Sequence, residues 1–97
     1  MANYRLSQKA KSDISNIYIY TYKNFGETQA DRYVAGLEKV LEALSCQPAL
    51  GRKINHIRKG YFRFEYMSHS IFFRKTRNIL EIIRILHNGM DMKNHLH

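Results

Sequence analysis

Four residues in the last third of the chain could do chemistry together: Arg63, Arg74, Arg84 and His87. A metal-independent ribonuclease needs a base for the 2′-hydroxyl, an acid for the leaving oxygen and cations for the charge that builds on phosphorus. His87 would supply one proton-transfer group, Glu65 the other, and the three guanidiniums the cations. The structural alternative is plain. Arg84 on a strand pairs with Glu65 or Glu81, and His87 closes a strand end. The chain contains no glycine-rich phosphate loop, no G-x-S-x-G turn and no C-x-x-C pair. Cys46 ends an apolar-periodic stretch and reads as a buried or half-buried thiol rather than a nucleophile. Asp91, His95 and His97 are zinc-type donors, but a terminal His-x-His reads as solvated, so no metal and no cofactor is expected.

The arginines and His87 sit in a stretch that reads as sheet. From Gly60 to Leu86, three runs rich in aromatic and β-branched residues are separated by Ser68-His69 and Thr76-Arg77-Asn78. Two consecutive hairpins, hence a three-stranded antiparallel meander, follow from that pattern. Strict alternation places Phe62, Phe64 and Tyr66 on one face of the first strand. In the last strand it sets Ile79, Glu81, Ile83 and Ile85 against Leu80, Ile82, Arg84 and Leu86. A sheet apolar on one side and arginine-rich on the other needs a cover, which the first half of the chain supplies.

Ala10, Ile14, Ile17, Tyr18 and Thr21 make one stripe at helical spacing between Gln8 and Asn24, with Ser7 as N-cap. Asn24-Phe25-Gly26 is a stop, with Gly26 in a left-handed cap and Phe25 folding back on the hairpin. Ala30, Tyr33, Val34, Leu37, Val40, Leu41 and Leu44 make a second stripe from Glu27 to Ser45, ended by Pro48. Gly36, in its middle, predicts close approach by another element. Tyr4-Arg5-Leu6 reads as an edge strand added to the meander. Pro48 to Lys59 reads as a loop anchored by Leu50, Ile54 and Ile57, with the densest positive charge of the chain. Leu96 can anchor the polar tail. The predicted class is α+β, in the order β-α-α-β-β-β: a short strand, then a helical hairpin packed on an antiparallel meander.

The 97 residues suffice for one core, so residues 1–97 are expected to form a single domain. No stretch is apolar enough to span a membrane and the N-terminus has no signal-type apolar run, so the expected location is the cytoplasm. One cysteine fits a reducing compartment. Sixteen Lys and Arg against eight Asp and Glu give a net +8, which favours a polyanionic or acidic partner.

The chain resembles the ParE branch of the RelE/ParE toxin superfamily. The likeness spans nearly all of it. It rests on Tyr4-x-Leu6-Ser7, Asp13-Ile14, Tyr20-Thr21, Phe25-Gly26, Gln29-Ala30 and Tyr33, then Gln47-Pro48 with Gly51-Arg52 and Ile57-Arg58-x-Gly60-Tyr61. It closes on His69-x-Ile71-x-Phe73, Ile83-Arg84-Ile85-Leu86-His87 and Met90-Asp91. The resemblance implies the toxin half of a type II toxin–antitoxin module, held in a heteromeric complex by a ParD-like acidic antitoxin. It implies a non-enzymatic inhibitor of DNA gyrase that blocks replication. The alternative within the superfamily is a RelE-like ribosome-dependent mRNA endoribonuclease using Arg63, Arg74, Arg84 and His87. As a binder, the chain is expected to meet antitoxin or target through Arg52, Arg58, Arg63, Arg74 and Arg84.

Overall fold

The computed structural model describes residues 3–89 and Leu96. The elements are β1 (Tyr4–Leu6), α1 (Gln8–Phe25), α2 (Glu27–Cys46), a 3-10 turn (Pro48–Leu50), β2 (Arg52–Lys53), β3 (Tyr61–Tyr66), β4 (His69–Lys75) and β5 (Leu80–His87). This is the expected order, with one strand added: β2, two residues inside the stretch read as loop. The five strands form one sheet in the order β1-β5-β4-β3-β2. β3, β4 and β5 are the antiparallel meander, and β1 lies parallel to β5.

Each helix starts and stops where its sequence requires. The Ser7 hydroxyl accepts the amide of Ala10, the N-cap bond of α1. Gly26 links the helices at φ +91°, in the region that favours glycine, and its amide bonds the Tyr22 carbonyl. The β-branched and aromatic run from Ile17 to Tyr22 stays helical because burial of Ile17 and Thr21 outweighs a weak local propensity. Gly36 is where α2 meets β3. A Cβ there would lie 2.2 Å from Tyr66 Oη.

The main core lies between the helices and the sheet and is built from Leu37, Leu41, Leu44, Ile71, Phe73 and Ile82, all fully buried. A smaller cluster fills the opposite face, where Ile54, Tyr61, Phe72, Leu86 and Leu96 pack together. Leu96 thus anchors the tail as expected. Ile54 is buried and Ile57 half-buried, whereas Leu50 is exposed and does not anchor the loop. Cys46 is exposed, not buried, because it falls two residues past Leu44 and off the stripe of α2.

Strict alternation fails in β5. Phe72 faces Arg84, but Phe73 faces Ile82, so β5 carries one extra residue at Ile83, a β-bulge. Leu80, Ile82 and Ile85 therefore pack with the main core, while Ile83 and Leu86 join the small cluster. The bulge takes backbone groups out of the ladder, and neighbours satisfy them. The Ser7 amide donates to the Ile82 carbonyl, the Ser7 hydroxyl to the Ile83 carbonyl, and the Ile85 amide to Asp13 Oδ2. One residue thus caps α1 and holds the bulge.

Candidate functional site

The bulge turns Arg84 toward α1. Its Nε and an Nη each donate to Asp13 at 2.8 Å, a bidentate pair with both side chains largely shielded from solvent. The expected partners, Glu65 and Glu81, are not used by Arg84. Glu81 faces Arg5 and Arg74, and Glu65 faces Arg52 and Arg63. The sequence could not reveal the Asp13 partner, because Asp13 and Arg84 lie 71 positions apart and meet only through the bulge. The bonds that Arg84 donates to Asp13 raise its pKa further, so this guanidinium stays charged.

The pair sits in the wall of a groove of about 800 Å³. One wall is the second half of α1 with the start of α2; the other is the β3–β4 turn with the ends of β4 and β5. Tyr20, Phe25 and Met67 line it and are 63%, 68% and 71% exposed, although they are large apolar side chains. Phe25 does not fold back on the hairpin. The sequence held a partial signal for this surface, since Tyr20 and Phe25 fall outside the apolar stripe of α1, and large apolar side chains left in water mark a surface kept for contact.

A polar chain runs along the strand ends of the same groove. His69 and His87 are directly opposite on β4 and β5, with ring centroids 5.6 Å apart and planes nearly perpendicular. His69 Nδ1 is hydrogen-bonded to Tyr33 Oη at 2.6 Å, and Tyr66 Oη donates to the Tyr33 carbonyl. His87 Nδ1 accepts the Gly89 amide. Burial, reinforced by His87, pushes the His69 pKa below the usual histidine range, so its neutral form is favoured. Burial pushes the Tyr33 hydroxyl up. The sequence placed Tyr33 in the apolar stripe of α2 and His69 in a hairpin break, and both in the resemblance, but gave neither a part in a site. Their partnership depends on α2 crossing β4.

A model of a family described as "ParE toxin of type II toxin-antitoxin system, parDE" matches residues 4–92. The chain belongs to the ParE toxin family. It is 36% identical over 96 residues to Toxin ParE1 of Caulobacter vibrioides, covering 99% of both chains. It is 31% identical to Toxin ParE1 of Mycobacterium tuberculosis, covering 98% of both. A solved structure titled "Chromosomal ParDE TA system from P. aeruginosa" superposes with a TM-score of 0.76 at 21% identity, over 90% of this chain and 96% of that one. The ParE fold is therefore shared, and the protein is a toxin of a type II toxin–antitoxin system.

The residues expected to form one site in this ParE chain are divided between two places. Arg84 and His87 line the groove. Arg63 packs over the Phe72 ring in the small cluster and donates to Ser70 Oγ; Ser70 in turn donates to Asn88 Oδ1. Arg74 is bound to Glu81, Arg52 to Glu65, and Arg58 lies over Tyr61. Hence Arg63 and Arg74 do not converge with Arg84 and His87. The candidate zinc donors Asp91, His95 and His97 lie outside the described residues. Among the described residues no helix is long and apolar enough to cross a membrane.

Proposed function

We propose that the whole chain, residues 1–97, acts in the cytoplasm as a non-enzymatic toxin that inhibits DNA gyrase and is silenced by a ParD-like acidic antitoxin. One observation carries the choice of gyrase over mRNA: the cations a nuclease would gather around a phosphate do not converge in one place. Arg63 and Arg74 are tied to Glu65 and Glu81, and Arg84 is clamped by Asp13 on the helix side. An inhibitor acting by contact has no need of such convergence. The groove suits the antitoxin, because an amphipathic segment could lay apolar residues against Tyr20, Phe25 and Met67. The test is plasmid supercoiling by purified gyrase. The chain should abolish it and leave cleaved DNA, and prior mixing with the cognate antitoxin should restore it. Unimpaired supercoiling at saturating toxin removes the reading.

A second reading is favoured by Tyr33, His69, His87 and Arg84 lining one groove. Those residues are the parts of an acid–base site of the RelE-like, ribosome-dependent endoribonuclease kind. That reading requires mRNA cleavage in a translating system, lost on His87→Ala. Toxicity that survives His87→Ala excludes it.

A further inference from the structure

The net charge of +8 is unevenly spread. Residues 51–81 carry eight Lys and Arg against two carboxylates, whereas residues 1–50 carry six against five. Almost the whole excess, +6, thus belongs to β2, β3, β4 and their connecting turns, and the helical half is close to neutral. Seven of those eight cations are exposed; Arg63 alone is partly buried.

The ion pairs of this half do not neutralise it. Glu65 Oε1 is shared by Arg52 at 3.3 Å and Arg63 at 3.4 Å, and Glu81 is shared by Arg5 and Arg74. Each carboxylate thus serves two guanidiniums and leaves one positive charge over. Arg52 and Arg63 are direct cross-strand partners, a like-charged placement that weakens a sheet. Folding gains nothing from that repulsion, whereas an anion laid across β2 and β3 would relieve it. Lys53 adds charge on the β2 edge, and Lys59 and Arg77 add it in the β2–β3 and β4–β5 turns, which lie at the same end of the sheet because Tyr61 pairs with Arg74.

We propose that this basic rim binds the phosphate backbone of duplex DNA, without base readout. An acidic amphipathic peptide needs several apolar anchors as well as cations; three exposed ones, Tyr20, Phe25 and Met67, line the groove, whereas Leu50 is the one exposed large apolar side chain beside the rim among the described residues. A single strand needs exposed rings on which bases stack. Among the described residues the exposed tyrosines and phenylalanines are Tyr20, Tyr22 and Phe25, all on α1, while Tyr61, Phe62, Phe72 and Phe73 beneath the rim are buried; His56 is the one exposed ring in the rim. Among the described residues no helix projects from the rim to enter a groove and read base edges. Exposed, closely spaced cations without a stacking platform suit a regular phosphate backbone. Choosing DNA over duplex RNA rests on the gyrase reading, since that target acts on duplex DNA.

The test is fluorescence anisotropy with the intact chain and a labelled mixed-sequence duplex of about 20 base pairs, titrated at several salt concentrations. Binding should weaken with a log–log salt slope of about −4, the value for four to five neutralised phosphates. Lys53→Glu/Lys59→Glu/Arg77→Glu should weaken binding at least about tenfold and flatten the slope by about 2 to 3. Lys9→Glu/Lys11→Glu/Lys23→Glu changes the net charge equally on α1 and should cost less than about threefold. The triple alanine variant of the rim repeats the test should the glutamates impair folding. Equal losses from the rim and α1 variants, tighter binding to single-stranded DNA or duplex RNA, or no binding at low salt would each overturn the proposal. A chain that fails to bind duplex yet blocks supercoiling leaves the gyrase reading intact and removes this one.

Discussion

On the helix side of β5, the Arg84 guanidinium meets the Asp13 carboxylate; on the opposite side, Glu65 and Glu81 are each shared by two guanidiniums. The first arrangement is local and shielded. Asp13 accepts two bonds from Arg84 and one from the Ile85 amide, which fixes α1 against the bulge and forms the groove wall. The second leaves charge unbalanced and exposed. The same residue type therefore does structural work where it is clamped to a carboxylate and largely shielded. Where it is held in excess on a rim, it is left available to a partner. The groove contributes shape and apolar contact, and the rim contributes field.

The largest effect expected from breaking this division is Asp13→Ala. It removes the acceptor of two Arg84 bonds and of the Ile85 amide, and should destabilise the fold by about 3 kcal/mol in chemical denaturation, as for a shielded pair that loses one partner. Tyr20→Ser/Phe25→Ser should weaken antitoxin binding by about 2 kcal/mol, roughly 30-fold by calorimetry, and leave duplex affinity unchanged. If that variant loses both ligands equally, the two surfaces are one. Gly36→Ala should cost about 1 to 2 kcal/mol, because the added methyl displaces Tyr66 by more than the gain in helix propensity returns.

A pH effect separates the groove from the rim again. Folding lowers the His69 pKa, so the unfolded chain takes up the proton first. This contribution is complete above the ordinary value of 6.5 and is lost as pH falls below it. His69→Gln should remove that step from stability measured against pH. Glu81 behaves alike in a lower window: bonds from Arg5 and then Arg74 depress its pKa, and its contribution fades as pH falls below 4.5. The smallest effect is Glu65→Gln, which should change stability by less than about 1 kcal/mol. It should tighten duplex binding about twofold by freeing two guanidiniums.

The fold was legible where local rules act alone. Helical stripes at threes and fours, the Ser7 cap and the glycine at Gly36 each point to a contact that the structure makes. The bulge was not legible, since an extra residue in one strand shows only against its neighbour. Everything downstream of it was hidden too: the faces of Ile85 and Leu86, and the Asp13 partner of Arg84. β2 was missed because two residues carry no period. The groove draws on α1, α2, the β3–β4 turn and two strand ends, so only its exposed aromatics left a trace in the sequence. The rim was the easier surface to foresee, because its charges are dense within one continuous stretch.

The place of β5 in the sheet bears on how the toxin comes into being. β5 lies between β4, its hairpin partner, and β1, which pairs with it from more than 70 residues away. Contacts of such separation form late, after the local hairpins, because their closure entropy must be met first. Both the Asp13 clamp and the groove wall require β5 in place. During synthesis from the N-terminus, the helical hairpin and the first strands exist before the groove does. The groove is complete only when β5 arrives, and a chain cut short before β5 should lose antitoxin binding.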